Sequence, residues 1–237
     1  MENYNIKTNR IFTKVREYAW ILTVLVAMGG IWYPKLGLLV IPIMLSLTIM
    51  SIFRGRYWCG NFCAHGSFFD KFLLPISKNG MIFKALKSKI MIITVFLFFG
   101  INMTKKFIQV FSYKGTEAFW DKLGLVFVSS YLMVLIVGGS LSIINTPRSW
   151  CQICPMGTMQ TIGYKIGKLI GINKKTDVKV TISDKDLCLS CGLCSRVCPM
   201  QLTPHKEFNK NNQFNNETCI KCSTCINKCP KGLLSLE

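Results

Sequence analysis

Cys188, Cys191, Cys194 and Cys198 stand before Pro199 in the spacing CxxCxxCxxxCP, and Cys219, Cys222, Cys225 and Cys229 repeat that spacing before Pro230. Two-residue gaps curl three thiolates around one iron-sulfur cube, while the fourth Cys, set off by a longer gap and a proline, reaches the other cube. The spacing therefore assigns Cys188, Cys191, Cys194 and Cys229 to one 4Fe-4S cluster. Cys219, Cys222, Cys225 and Cys198 go to a second. CxxC pairs also serve zinc sites and disulfide frameworks, but neither accounts for a third Cys at the same step or for the repeated Cys-Pro ending.

Over roughly residues 180–237 the pattern resembles the bacterial two-cluster ferredoxin, whose fold is a small α+β unit. The other four cysteines sit in a looser repeat. Arg56-Tyr57-Trp58-Cys59 leads to Cys63-Ala64-His65-Gly66, and Arg148-Ser149-Trp150-Cys151 leads to Cys154-Pro155-Met156-Gly157. The shared frame is R-x-W-C, a short gap, then C-x-x-G. Four readings of Cys59, Cys63, Cys151 and Cys154 stand at this stage: ligands of a third iron-sulfur cluster, a zinc site, a redox dithiol or disulfide, or small buried residues. In the first reading Arg56 and Arg148 offset the negative charge of the cluster. His65, beside Cys63, is either a ligand or an ordinary hydrogen-bonded loop histidine.

Half of the residues are hydrophobic, only 17% are charged, and the mean hydropathy is +0.35. This is the composition of a membrane protein. Apolar runs extend over Tyr18–Tyr33, Leu36–Phe53, Ile90–Met103 and Leu123–Ile144, and four spanning helices are the simplest reading, although the first and third fall short of the ~20 residues a bilayer asks for. A turn at Trp32-Tyr33-Pro34-Lys35 joins the first two into a hairpin, so the first run reads as a retained span and not a cleaved signal. Lys and Arg crowd the N-terminus and the loop between the second and third runs. That bias places both termini and the C-terminal domain on the cytoplasmic side, where thiols stay reduced until they are loaded. The formal net charge of +18 fits anchoring against anionic lipid and steering of an acidic electron carrier such as a small ferredoxin or flavodoxin. Nucleic acid is not an expected partner.

Each Cys pair follows a hairpin, so the membrane half reads as an internal duplication. The expected fold is an all-α domain of four transmembrane helices in two duplicated hairpins over residues 1–172, a linker over 173–179, and the α+β ferredoxin-like domain over 180–237. Residues 68–74 and 159–170 are expected as amphipathic helices on the inner interface, with Gly163, Gly167 and Gly171 weakening the second. Trp58 and Trp150 read as interface anchors. Haem is not expected: His65 and His205 are the only histidines, and neither lies in an apolar run.

From about Tyr18 to Leu236 the chain resembles the membrane-bound polyferredoxins typified by the NapH-type quinol dehydrogenase membrane component. It departs from that family in its Cys pairs, which there read CxxxCP. The resemblance implies one-electron relay between cytoplasmic 4Fe-4S clusters and the quinone pool or a partner redox subunit, in the cytoplasmic membrane of a prokaryote. The alternative is an accessory or redox-sensing protein serving cofactor assembly, metal reduction or regulation. Without a phosphate-cradling glycine loop the chain takes no hydride by itself, so its part in an oxidoreductase is that of an electron-transfer component.

Overall fold

In the computed structural model residues 6–237 are described. Among them, four helices are long and apolar enough to cross a membrane: Lys14–Trp32, Pro34–Arg54, Lys89–Phe111 and Ala118–Ile144. The first begins at Thr13, whose hydroxyl accepts from Arg16 N at 3.3 Å, satisfying one of the free donors of a helix start. It widens into a π turn over Leu25–Gly29 and ends at Tyr33, which leaves helical geometry at φ −124°, ψ 83°. Pro34 follows, and a proline disfavours helix at the residue before it. The second span stops at Gly55, whose φ of +60° suits a residue without a Cβ.

The third helix is longer than its apolar run. Lys105 and Lys106 are good helix formers and carry it on to Phe111, with Lys106 Nζ donating to Ser129 Oγ of the fourth helix at 2.8 Å.

After the second span the chain forms a short helix at Tyr57–Asn61, then Ala64–Phe68 running into a π turn over Phe69–Leu73. After the fourth come Trp150–Ile153 and Pro155–Ile170. The expectation of two interfacial helices needs correction here. Phe69 and Asp70 are buried, so the first segment turns inward. The second keeps Ile162, Ile166, Leu169 and Ile170 exposed, yet Gly163 and Gly167 are close-contact points: a Cβ on Gly167 would overlap Ile52 O and lie 3.0 Å from its carbonyl carbon. Trp150, read as an interface anchor, is core, packed with Phe69, Ile82, Leu86 and Ile153. Burying a large apolar side chain is worth ~1.5–3 kcal/mol, and that outweighs any interfacial preference.

The segment read as a linker holds a short helix, Asn173–Thr176, and then Asp177, which pairs with Lys221 and accepts from Tyr164 Oη at 2.7 Å. Beyond it, β1 (Val180–Ile182) pairs antiparallel with β2 (Leu234–Leu236), Val180 opposite Leu236. Thr203–Thr218 contains a one-turn helix at Pro204–Glu207 and a bridge between Phe208 and Phe214. Val180, Ile182, Phe214 and Leu234 form the core, with cysteines of both CxxCxxCxxxCP runs against it.

Candidate functional site

Twelve thiols fall into three groups of four, each group lining its own cavity. Cys188, Cys191, Cys194 and Cys229 line the first, with Leu189, Leu193 and Phe208 among their neighbours. Cys198, Cys219, Cys222 and Cys225 line the second, with Met200, Ile220 and Phe214. Cys59, Cys63, Cys151 and Cys154 line the third, a cavity of about 160 Å³. The first two groups are the sets read from the spacing; the third gathers both membrane pairs. No disulfide joins any of the twelve. Among the described residues no three His, Cys, Asp or Glu side chains close on one point as a single metal ion requires. Four thiols without a carboxylate or imidazole ligand between them are the donor set a four-iron cube takes.

Local backbone shapes the first two cavities. In the first CxxC step of each run the residues flanking the second Cys are left-handed: Ser190 and Gly192 beside Cys191, Lys221 and Ser223 beside Cys222, with φ between 48° and 67°. For Ser and Lys that conformation costs ~1–2 kcal/mol each. It turns successive thiols toward one centre. Cys63 and Cys154 in the third cavity match one another as well: both are N-caps, with φ, ψ of −61°, 118° and −60°, 124°. Gly66 N donates to Cys63 Sγ at 3.4 Å.

Burial pushes the Cys63, Cys154 and Cys198 thiols up to about 12 and Cys219 to about 11. These thiols would have to give up their protons to hold a metal group, and four thiols without a competing carboxylate suit iron-sulfur ligation.

Around the third cavity the polar groups are arranged crosswise. Arg56 Nη2 donates to Cys151 O at 2.6 Å, and Arg148 Nη1 donates to Cys59 O at 3.3 Å. A Cβ on Gly157 would meet Arg56 Nη2 at 2.7 Å, and one on Gly66 would meet Arg148 Nη1 at 2.5 Å. Each half's Arg thus lies over the other half's Gly and holds the other half's first Cys. That geometry explains why R and G recur in one frame. Arg148 Nη1 also lies 3.5 Å from Cys151 Sγ, and Gln160 Nε2 lies 3.3 Å from Cys59 Sγ.

Asp70 is buried with Arg10, Arg16 and Arg148. It pairs with Arg148 at 2.5 Å, with Arg16 in close contact, and with Arg10 at 3.6 Å. Burial alone would raise its carboxyl; the guanidiniums of Arg148, Arg16 and Arg10 overcome this and hold it at about 2. Arg16 also donates to Gly60 O, between the two cysteines of the first pair. Sequence reasoning missed Arg10, Arg16, Asp70 and Gln160. The available signal was Asp70 itself, one acid in the apolar run 68–74. His65 is no loop residue: it lies in the helix Ala64–Phe68, its Nε2 3.3 Å from Tyr131 O and its ring 4.5 Å from the Tyr131 ring.

The second and third cavities abut. Cys59, Cys151, Met200 and Ile220 form one apolar cluster, against which Cys198 and Cys222 pack. Asn61 Nδ2 donates to Lys221 O at 3.2 Å, Gln201 bridges Ile82 N at 2.8 Å and Gly80 O at 2.9 Å, and Lys221 Nζ reaches Arg54 O at 2.9 Å. The first cavity lies on the open side: Cys191 is the exposed cysteine of the twelve, and Leu187 and Leu189 beside it are 58% and 62% exposed.

Residues 180–230 match the family model of a 4Fe-4S dicluster domain, and residues 36–79 and 125–173 match that of a 4Fe-4S binding domain. Each of the two latter segments holds one membrane Cys pair. No curated protein and no solved structure matches the chain.

Proposed function

For this iron-sulfur, ferredoxin-like chain with four membrane-length helices, we propose the role of a membrane-anchored electron-transfer subunit with three 4Fe-4S clusters in series. The observation that carries the reading is the arrangement of three four-cysteine cavities, the second and third sharing one apolar cluster at Met200 and Ile220. Cys188, Cys191, Cys194 and Cys229 hold the outer cluster, Cys198, Cys219, Cys222 and Cys225 the middle one, and Cys59, Cys63, Cys151 and Cys154 the membrane-side one. Each such cluster takes up and gives back one electron.

The chain's own residues do the rest. Met200 and Ile220 exclude water between the middle and membrane-side sites. Arg56 and Arg148 fix the two Cys loops against each other. The crossed Arg-Gly contacts, the matched N-cap cysteines and the doubly matched family model together support a duplicated hairpin unit as the source of the membrane half. Both termini lie on the cytoplasmic side in this reading, and the outer cluster meets a soluble carrier there. The membrane cavity also extends between the spans, past Leu22, Val40, Met44, Met103 and Phe127 to Tyr131 and His65. An apolar arm with a polar end supports a quinone as the membrane-side exchange partner, as in the quinol dehydrogenase membrane components the chain resembles.

Iron and acid-labile sulfide per chain, after anaerobic purification in detergent, test the reading. About twelve irons, falling to about eight in Cys59→Ser with Cys151→Ser, are expected. About eight in both proteins overturns the membrane-side cluster.

A further inference from the structure

The third cavity is bordered by a surplus of buried positive charge. Arg10, Arg16, Arg56 and Arg148 are buried, and among the described residues Asp70 is the acid paired with them, leaving a surplus of three positive charges among those residues. Burying unpaired charge is strongly unfavourable. Nε of Arg10, Arg56 and Arg148 and Nη1 of Arg10 also lack a hydrogen-bond acceptor among the described residues. A set of this kind calls for an anion. A 4Fe-4S cube on four thiolates supplies one: it carries two negative charges when oxidised and three when reduced. The extra charge of the reduced state is matched by the surplus.

Position matters as much as amount. Arg148 lies at Cys151 Sγ and Arg56 on Cys151 O, while the field of Arg10 reaches Cys198 and Cys222 and that of Arg56 reaches Cys219. Arg16, Arg56 and Arg148, each hydrogen-bonded to the Cys59 or Cys151 loop, put their charge nearest the membrane-side site; the middle one has Arg10 and Lys87 in reach of its thiols and Lys221 already paired with Asp177, and the lining of the outer one carries Lys231 and His205. Backbone donors reach sulfur at all three sites; what sets the membrane-side site apart is the guanidinium of Arg148 at Cys151 Sγ, where the side-chain contacts at the middle and outer sites include Thr224 to Cys222 at 3.2 Å and His205 to Cys194 at 3.7 Å.

We propose that Arg16, Arg56 and Arg148, trimmed by Asp70, are the counter-charge of the membrane-side cluster and give it the highest reduction potential of the three. An electron entering the chain then moves inward: the outer or middle cluster loses it and is oxidised, and the membrane-side cluster gains it and is reduced. These side chains are positioning groups that tune the site without touching a substrate. The inference rests on the three-cluster reading.

Two measurements test it. In the first, wild-type protein in detergent receives substoichiometric dithionite under argon, and its paramagnetic signals are compared with those of the eight-iron Cys59→Ser, Cys151→Ser protein. The first signal to appear is expected to be the one that variant lacks. In the second, potentiometric titrations compare Arg16→Gln and Asp70→Asn with wild type. Losing a positive charge is expected to lower the membrane-side midpoint, and losing the negative charge to raise it, with the outer cluster unmoved; loosened packing would not give shifts of opposite sign. A first electron found on a ferredoxin-domain cluster, or shifts of the same sign, overturns the proposal while twelve irons per chain leave the three-cluster reading intact. If either variant loses iron, the wild-type ordering decides alone. Eight irons in wild type fails the underlying reading instead.

Discussion

Replacing Gly60 by Ala drives a wedge into the joint between the Cys59–Cys63 loop and the Cys219–Cys222 loop. The new Cβ would overlap the carbonyl oxygen of Ile220, and would sit 2.9 Å from its carbonyl carbon and 3.2 Å from Cys222 N. These are backbone atoms of the loop that carries Cys219 and Cys222, so no side chain can swing aside. Ordinary contact between carbon atoms is ~3.5–4.0 Å, so the surfaces must part by ~0.6–1 Å, and a gap of that size forfeits a quarter to a half of each dispersion contact across it. Met200 and Ile220 are both 1% exposed in this joint, and overpacking a site of this kind costs ~1–3 kcal/mol. Thermal unfolding of the purified protein in detergent is expected to shift downward, and rapid-mixing reduction is expected to show slower passage of electrons from the middle to the membrane-side cluster at unchanged iron content. Gly80→Ala is the control, since its Cβ meets Asn145 Oδ1 at an ordinary 3.5 Å. A Gly60→Ala protein matching wild type in both measurements refutes the close backbone packing and the direct contact of the two sites.

Two further outcomes are expected. Lys221→Ala removes a buried cation from Asp177 and Arg54 O, and breaking a buried pair from one side costs ~3–5 kcal/mol; protease cleavage in the 171–179 segment should become much faster, with Lys221→Arg partly protected. Asp70, held near 2 against ~3.9 in an unfolded chain, stabilises the folded state fully above pH ~4, and that contribution, ~2–3 kcal/mol, is lost as pH falls through 2. Chemical unfolding of the iron-free protein in detergent across pH 5 to 2 measures it, and Asp70→Asn should remove this component of the slope.

What could be read directly was whatever repeats at short range. The eight ferredoxin cysteines lie within runs of eleven residues, and the cavities gather them as the spacing requires. The four membrane-length helices follow from runs of apolar residues, because hydropathy is local. Their ends were less legible: Lys105 and Lys106 closed the third run on paper, although lysines extend a helix readily. The groups around the membrane thiols were least legible. Asp70 meets Arg16 and Arg148 at separations of 54 and 78 residues, and no periodicity records such a pairing. Trp150 and Gly167 were misread for the same reason: a tryptophan at a span end and a glycine in a helix look like an anchor and a weak point until the neighbouring helix is in place.

The crossing of Arg56 and Arg148 bears on how such a site could arise. With each Arg seated over the opposite Gly and bonded to the opposite Cys carbonyl, neither hairpin owns a complete site. A single unit, under the duplication proposed above, could have worked only by pairing with a second copy of itself about a two-fold axis through the four thiols. Joining two copies in one chain removed the demand that they stay alike. Such divergence would account for the difference between the two segments: where one carries His65 and Asp70, the corresponding places in the other hold Met156 and Thr161, so the acid that gathers three arginines belongs to the first segment alone.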